Sequence, residues 1–331
     1  MGTDRRAIFA AAIVATALAA GAVVTASPVF AQNYPAHSVR LIVPYPPGGG
    51  TDFFARVVAT EMGASLGQTV VVENRPGAGT LIGAEAVARA QPDGYTFLLG
   101  DTSTYASNRS LYAKLPYDAD KDFAPVSLTG RFAIVLLVNT DKLKVNSVKE
   151  LIAAAKKSPG AIDYGSAGIG SPFHLAGELF AQGAGVKLNH IPYKGAAPAI
   201  QDLVSGQIGM MFVDYATARG QLAVKQIKAI AVASPGEFAG LPGVPPVSAD
   251  VPGFEAWAWQ GFAVPAATPK DAIAKLNAAY AKAVGNAEIR QKLIGAGIDP
   301  LQSSPADMAA YIKSEAAKWE KVIKTANIKL D

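Results

Sequence analysis

The chain has 331 residues, of which 50% are hydrophobic and 17% are charged, and its net charge is +4. A chain of this size and composition buries a large core and is long enough for two domains. Its basic residues are scattered and form no stripe that would follow a phosphate backbone, which argues against nucleic-acid binding. It has no cysteine, which excludes disulfides and thiolate metal sites.

The N-terminus has the pattern of an export signal. Arg5-Arg6 forms a basic start, residues 7–24 are an unbroken run of apolar and small residues, and residues 29–31 are typical of a cleavage site. These features predict a signal peptide over residues 1–31, a mature protein that begins near Gln32, and a periplasmic location. A retained anchor helix is the alternative, because the run is nearly long enough to span a bilayer. The arginine pair also loosely fits a twin-arginine signal, although the general secretory route is expected.

A glycine-rich stretch over residues 45–52 organises the first half of the mature chain. It follows an apolar run, Val39–Val43, that predicts a buried strand, and it precedes a helical pattern that runs to about Leu66. Its three glycines free the backbone, and Thr51 or Asp52 is expected to cap the helix. The first N–H groups of such a helix favour a bound anion, because the positive end of the helix dipole lies behind them. A tight turn without a ligand is the alternative.

A second stretch of the same kind spans residues 165–174. It follows a strand predicted around residues 162–164, with Ser171 as the expected helix cap and Pro172 as the first helical residue. Two helix N-termini that face each other across a cleft would clamp an anionic ligand.

The remaining elements alternate between strands and helices. Strands are predicted at residues 69–72, 96–99, 123–128, 134–138, 187–191, 207–212, 227–233 and 260–264. Helices are predicted at residues 81–90, 147–157, 173–181, 198–204, 215–224, 269–285, 288–296 and 305–326. This alternation predicts parallel sheets that are covered on both faces. With a ligand-type loop in each half, it also predicts two α/β domains with a cleft between them.

An enzyme is the main competing class. The chain has three histidines, His37, His174 and His190. They are scattered along the sequence, so no metal site is expected. Ser166 and Ser171 lie in no Gly-x-Ser-x-Gly motif, so neither has the context of a nucleophile. His174 falls in the first turn of the second helix, where it is expected to support the loop; a hydrogen bond to a ligand carboxylate is the alternative. We therefore predict no catalytic residue.

A third glycine loop comes close to a dinucleotide-binding motif. Gly77, Gly79 and Gly83 have nearly the required spacing, but the last interval is one residue too long. No acidic residue follows a second strand at the required distance. We therefore expect no cofactor.

Four motifs of the mature chain, at residues 43–52, 73–79, 111–118 and 193–199, resemble those of the tripartite tricarboxylate transporter receptors, also called the Bug family. The resemblance covers essentially all of the mature chain. It implies a periplasmic solute-binding protein with a type II Venus-flytrap fold, in which two strands cross between two α/β domains. It also implies a ligand with a carboxylate, held largely by backbone N–H groups and ordered water, and delivery to inner-membrane transporter subunits. A ligand sensor for a signalling partner, or an enzyme acting on a small carboxylic acid, is the alternative.

The domain limits and the site follow from this pattern. We predict a monomer whose first domain comprises residues 33–131 and 257–331, and whose second comprises residues 132–256. Its predicted ligand-binding residues are Tyr45, Pro46, Pro47, Gly48, Gly49, Gly50, Thr51, Asp52, Ser103, Thr104, Ala167, Gly168, Gly170, Ser171, His174, Asp214 and Tyr215.

Some positions depart from the family's usual pattern, and others have two interpretations. The runs at residues 106–109 and 213–215 differ from those of the family, so the identity of the carboxylate is left open. Arg109 is expected on the surface, with a place near the cleft as the alternative. Trp257 and Trp259 are expected in the core, with the cleft lining as the alternative.

Overall fold

The computed structural model describes residues 34–330, and the predicted signal peptide lies outside them. Ten strands in this part of the chain form a mixed sheet. They are β1 (Val39–Val43), β2 (Val70–Asn74), β3 (Thr96–Asp101), β4 (Phe123–Asn139), β5 (Asp163–Ser166), β6 (Asn189–Pro192), β7 (Met210–Asp214), β8 (Ile227–Val232), β9 (Trp257–Pro265) and β10 (Ile298–Pro300).

The helices alternate with these strands. Within the described residues they are α1 (Gly50–Leu66), α2 (Leu81–Ala88), α3 (Asn108–Leu111), α4 (Thr140–Leu143), α5 (Val148–Lys157), α6 (Pro172–Ala184), α7 (Ala196–Val204), α8 (Tyr215–Ala218), α9 (Lys270–Gly285), α10 (Ala287–Gly295) and α11 (Pro305–Ala326). A 3₁₀ turn at Ala78–Thr80 precedes α2, a π turn at Ser103–Ser107 precedes α3, and a second 3₁₀ turn occupies Val247–Ala249.

The sheet is mixed, so the prediction of parallel sheets was only partly right. The strand order is β2-β1-β3-β9-β4-β7-β5-β6, with β8 and β10 also paired to β4. Strand β1 runs parallel to β2 and β3, and β5 runs parallel to β6 and β7. Every pairing of β4 and β9 is antiparallel. The reason is connectivity: β4 carries the chain from the first parallel group to the second, and β9 brings it back.

Strand β4 was predicted as two separate strands, at residues 123–128 and 134–138, but it is one strand of 17 residues. At about 3.3 Å per residue it spans about 55 Å. Its first part pairs with β9 and β10, and its second part pairs with β7 and β8. The register with β9 shifts twice between Pro125 and Gly130, so the strand is bulged there, and residues 130–133, where the break was predicted, pair with β9. The predicted domain limits fall within β4 and at the start of β9, and they stay a prediction.

Local signals placed several helix ends correctly. Ser147 Oγ accepts a hydrogen bond from Glu150 N at 3.2 Å, and Ser171 Oγ accepts one from His174 N at 3.3 Å. Pro172 is the first residue of α6, and Gly67 ends α1 in the left-handed conformation, with a φ of 71°. These caps satisfy backbone groups that a helix end leaves without partners.

Other boundaries were wrong. The cap of α1 is Gly49, which offers no side-chain acceptor, rather than Thr51 or Asp52. Both of those residues lie in the first turn, because the helix starts earlier than the apolar periodicity indicated. The helix predicted through residue 224 ends at Ala218, and turns occupy the segment that follows. The short strand β10 was not predicted, since three residues carry no measurable periodicity.

The C-terminal helix α11 is held against the sheet by a buried carboxylate. Glu315 is 6% exposed, and its Oε2 accepts hydrogen bonds from Trp259 Nε1 on β9 and Trp319 Nε1 on α11, both at 2.9 Å. Lys318 Nζ donates to Oε1 at 3.0 Å. A buried charge with several donors is stable where an isolated one is not. This contact ties the helix to the strand that returns from the second parallel group.

The variant Glu315→Ala is expected to lower the free energy of unfolding by about 2–4 kcal/mol, because it leaves two buried indole N–H groups without an acceptor. Urea unfolding at pH 7 measures the loss. The control is Glu320→Ala on the same helix, whose ion pair with Lys324 is exposed to solvent. Exposed pairs contribute little, so the control should unfold like the wild type. Equal losses in the two variants would show that the buried contact has no special role.

Candidate functional site

A cavity of about 620 Å³ lies where the carboxyl ends of several strands meet. Tyr45 follows β1, Asp101 ends β3, Ala167 follows β5 and Asp214 ends β7, and all four residues line the cavity. The first two belong to one parallel group of strands and the last two to the other. Open α/β sheets bind ligands at this edge. The cavity therefore brings together the glycine-rich loops at residues 45–52 and 165–174.

The loop before α1 leaves its backbone donors available. The first N–H groups of a helix have no partner within the helix, and α1 has no side-chain cap. Gly48 has a φ of 91°, and its N–H donates to Asp52 Oδ2 at 2.9 Å. Gly49, Gly50 and Thr51 line the cavity. This arrangement suits an anion, because the positive end of the helix dipole faces the cavity.

Asp52 holds this loop in place rather than lining the cavity. Its Oδ2 also accepts a hydrogen bond from Arg56 Nε at 3.0 Å, and its Oδ1 accepts one from Asn74 Nδ2 at 2.9 Å. Burial acts to raise the pKa of Asp52, but the hydrogen bonds from Arg56, Gly48 and Asn74 lower it overall. The carboxylate is therefore ionised and fully engaged with the protein, behind the backbone donors.

The loop before α6 is supported by an imidazole. His174 is 4% exposed, and its Nδ1 accepts a hydrogen bond from Gly170 N at 3.0 Å. The ring stacks on His190 with centroids 3.7 Å apart, and His190 Nε2 is hydrogen-bonded to Ser166 Oγ at 2.7 Å. Gly170 and Ser171 line the cavity, whereas His174 lies behind them. The contact with Gly170 agrees with the expectation that His174 supports the loop.

Two features favour glycine at position 170. Its φ is 76°, and a Cβ atom there would collide with the side chain of Leu111. Leu111 belongs to α3 on the first part of the chain, so the second loop packs directly against that helix. A left-handed backbone and a close approach both favour glycine.

A third loop reaches the cavity and was not among the predicted ligand-binding residues. Gly79 and Thr80 line the cavity, and residues 77–80 all have positive φ. Asn108 Nδ2 donates to Gly79 O at 2.9 Å, and the hydroxyl groups of Thr80 and Thr104 are hydrogen-bonded to each other, with their oxygens 2.9 Å apart. The signal was visible, since the segment has the same strand, glycine and helix pattern as the other two loops.

Two acidic side chains at the cavity, Asp101 and Asp214, are hydrogen-bonded within their own loops. Tyr45 Oη donates to Asp101 Oδ2, and Thr104 donates to Asp101 Oδ1 from both its N–H and its hydroxyl, each at 3.0 Å. Asp214 accepts hydrogen bonds from the N–H and the hydroxyl of Thr217, both at 2.8 Å. Burial raises the pKa of Asp101 and of Asp214.

The cavity also has a positively charged side chain in its lining. This is Lys194, which is exposed to solvent.

The predicted ligand-binding residues fall into two groups. Those that line the cavity are Tyr45, Pro46, Pro47, Gly49, Gly50, Thr51, Ser103, Ala167, Gly170, Ser171 and Asp214. Those that do not line it are Gly48, Asp52, Thr104, Gly168, His174 and Tyr215. Tyr215 packs edge-on against Phe238, with ring centroids 5.0 Å apart. In the second group, Asp52 and His174 accept hydrogen bonds from backbone N–H groups of the loops.

Among the other residues that line the cavity and were not predicted to bind the ligand are Phe132 on β4 and Trp259 and Gln260 on β9. Trp259 is also in the core, at 1% exposure, so both interpretations of that residue describe part of its environment. Trp257 does not line the cavity and lies under the guanidinium of Arg131, 4.0 Å from its ring centroid.

Arg109 is neither on the open surface nor in the cavity. Its guanidinium forms an ion pair with Asp120, with N–O distances of 2.6 and 3.0 Å, and donates to Tyr105 O at 2.7 Å. The expected surface position was therefore only partly right, because the side chain is about three-quarters buried.

Two features of other protein classes are absent from residues 34–330. Among residues 34–330 there is no group of three or more histidine and acidic side chains placed to hold a metal ion. In the same part of the chain, no helix is long and apolar enough to cross a bilayer.

The two stacked imidazoles are expected to make stability depend on pH. Burial lowers the pKa of His174 from 6.5 to about 3, assisted by repulsion from His190, and burial lowers the pKa of His190 to about 4. Above pH 6.5 both rings are neutral in the folded and unfolded states. Below it the unfolded chain takes up protons that the folded chain rejects. Stability is therefore lost as pH falls from about 6.5 towards 4, by up to about 1.4 kcal/mol per pH unit for each ring.

Urea unfolding between pH 7 and pH 4.5 measures this slope. The variant His190→Gln should show a shallower loss than the wild type, because one of the two rings is gone. His37→Gln, which removes an exposed imidazole, is the control and should keep the wild-type slope. The same slope in all three proteins would contradict the assignment.

Comparison with known proteins now identifies the family. The sequence pattern of the tripartite tricarboxylate transporter family receptors matches residues 54–328. Protein BugT of Bordetella pertussis is 36% identical over 307 residues, which cover 92% of this chain and 94% of BugT. The structure of MatC from Rhodopseudomonas palustris with bound malate is similar, at a TM-score of 0.77 and 32% identity, covering 88% of this chain and 100% of MatC.

A second structure from R. palustris, solved with adipate, has a TM-score of 0.81 and 35% identity, and covers 89% of this chain and 99% of that one. These neighbours confirm the predicted fold class, a two-domain α/β periplasmic-binding-protein fold with a ligand cleft between the domains. Because the family pattern spans most of the described residues, this chain belongs to the tripartite tricarboxylate transporter receptor family, also called the Bug family.

Proposed function

We propose that this protein is a periplasmic receptor that captures a small carboxylate-bearing ligand and delivers it to the membrane subunits of a tripartite tricarboxylate transporter. The observation that carries the proposal is the meeting of two glycine loops, each opening a helix, at one cavity. Backbone N–H groups at helix N-termini are suited to a carboxylate. The similar proteins solved with malate and adipate support the same class of ligand.

The proposed mechanism is capture by domain closure. The first domain comprises residues 33–131 and 257–331, and the second comprises residues 132–256. A carboxylate docks on the N–H groups of one loop, and closure brings the loop of the other domain onto it. The ligand stabilises the closed state only by the binding free energy of its contact with the second loop. Strands β4 and β9 connect the domains and would bend during closure.

The proposal assigns no catalytic step to the cavity. Asp101 and Asp214 are hydrogen-bonded to their own loops, and His174 is hydrogen-bonded to Gly170. Because these groups are already hydrogen-bonded within the protein, none of them is assigned the role of a general base toward a nucleophile or water. We propose that the mature receptor acts as a monomer, because each copy carries both halves of the cleft.

The direct test is a thermal-shift screen of the mature protein against mono-, di- and tricarboxylates, aromatic acids and acidic amino acids. A ligand at about 100 times its Kd should stabilise the folded protein by about 2.7 kcal/mol and raise its Tm. The corresponding amides and alcohols that lack any carboxylate are the matched controls and should have no effect. A screen in which acids and controls behave alike would contradict the proposed function.

The variant Gly49→Val tests the first loop. A valine fits there, because Gly49 has a φ of −84° and no atom lies within 4 Å of the position a Cβ would take. The chain should therefore fold, while the side chain keeps a carboxylate away from the N–H groups and lowers affinity at least 100-fold. Gly220→Val, at another open glycine that does not line the cavity, should bind like the wild type. Isothermal titration with the best acid from the screen measures both.

The variant Ser171→Ala tests the second loop in the same titration. It should weaken binding and also cost about 1 kcal/mol of stability, because α6 loses its cap. Wild-type affinity in a folded Gly49→Val protein would mean that the first loop is only a turn, and the arrangement of two facing loops would then be wrong.

A further inference from the structure

Gln260 is a buried polar side chain at the cavity whose hydrogen-bonding atoms have no partner. It lies on β9, is 1% exposed and lines the cavity. Neither Nε2 nor Oε1 forms a hydrogen bond with any of the described residues. A buried donor and acceptor without partners destabilise a folded protein, and most such groups in proteins are satisfied. A polar side chain kept in this condition calls for an explanation.

Other polar side chains that line the cavity have hydrogen-bond partners within the protein. Trp259 Nε1 donates to Glu315, Tyr45 Oη donates to Asp101, and Asp101 also accepts from Thr104. Other buried side-chain atoms without a partner in the described chain belong to Ser107, Arg109, Thr129 and Thr268, and none of these residues lines the cavity. The unsatisfied carboxamide is therefore a feature of the cavity itself.

The position of Gln260 in the sheet defines what surrounds it. In the antiparallel pairing of β3 with β9, Gln260 lies directly opposite Asp101. Side chains of directly opposite residues point to the same face of a sheet and lie close together. The carboxylate oxygens of Asp101 only accept hydrogen bonds when ionised, and Tyr45 uses its proton on Asp101. This part of the cavity therefore offers hydrogen-bond acceptors, and Gln260 Nε2 adds a donor that is not used within the protein.

We propose that Gln260 is a specificity-determining residue that binds the end of the ligand remote from the carboxylate held by the loops. It favours an uncharged end group that both donates and accepts hydrogen bonds, such as a primary carboxamide or a hydroxyl, over a second carboxylate. This inference rests on the proposed function and adds the class of end group to it.

The chemistry of the end groups accounts for the preference. A carboxamide on the ligand can accept from Gln260 Nε2 and donate to Oε1, which satisfies both atoms at once. A hydroxyl can also do both. A second carboxylate can only accept hydrogen bonds, so it leaves Oε1 unsatisfied. A methyl group satisfies neither atom. A site built to hydrogen-bond one group discriminates strongly against analogues that lack it.

The experiment compares two series of acids, one with six carbons and one with four. The four acids within each series differ only in the end group remote from the shared carboxylate. The six-carbon series is hexanoate, 6-hydroxyhexanoate, adipate and the monoamide of adipate; the four-carbon series is butanoate, 4-hydroxybutanoate, succinate and the monoamide of succinate. Isothermal titration gives the Kd of each acid for the wild-type protein. In the series whose length reaches Gln260, the monoamide and the hydroxy acid should bind about tenfold more tightly than the diacid and the plain acid.

The variant Gln260→Met removes the hydrogen-bonding atoms and keeps a long unbranched side chain. It should weaken the monoamide about tenfold and change the plain acid less than twofold, so the preference disappears. Its ligand-free Tm should equal or exceed that of the wild type, because no polar group remains unsatisfied. Gln260→Glu keeps the shape but replaces the donor with an acceptor, and it should also weaken the monoamide. Gln302→Met, at an exposed glutamine that does not line the cavity, is the matched control.

The outcomes separate this inference from the proposed function. If the plain acids and diacids bind the wild-type protein but the end group has no effect, or if Gln260→Met keeps the wild-type preference, the role of Gln260 is wrong and the receptor function stands. If none of the eight acids binds the wild-type protein while other carboxylates fail in the thermal-shift screen as well, the proposed function itself is contradicted, and this inference falls with it.

Discussion

The antiparallel pairing of β4 with β9 is the constraint on which the rest of the structure depends. These strands connect the two parallel groups, and their register decides which residues meet at the cavity. Asp101 lies opposite Gln260 through β9, and Asp214 lies opposite Ile134 through β4. The strand ends that carry ligand-type loops therefore converge from both sides. Helix α11 reinforces the arrangement, because Glu315 accepts a hydrogen bond from the indole of Trp259 on β9.

The cavity separates side chains that hold loops from backbone groups that remain available. Asp52, Asp101, Asp214 and His174 each hydrogen-bond to a loop backbone. Their lone pairs are used within the protein. Backbone N–H groups at the helix N-termini then provide the positive potential without a buried cation. Such a site accepts a carboxylate in general, so discrimination between acids must come from side chains elsewhere in the cavity, of which Gln260 has the clearest unsatisfied capacity.

Much of the fold could be predicted because its signals are local. The caps at Ser147 and Ser171, the proline that starts α6, and the apolar face of α11 around Trp319 all follow from residues within one or two turns. The continuity of β4 could not be predicted in this way. Its central residues have β9 as a partner some 130 positions later, and that pairing, with its bulges, overrides the local signal for a break.

The amino-acid sequence by itself determined the strand–glycine–helix loops at residues 45–52 and 165–174, because positive φ angles and helix caps depend on the residues at the turn. Tertiary structure alone decided that Phe132, Trp259 and Gln260 line the cavity with those loops, that Asp52 and His174 stand behind them, and that the turn before α2 joins the site. The physical reason is that the face on which a strand residue lies is fixed by its register with distant strands, and local residue patterns contain no information about that register.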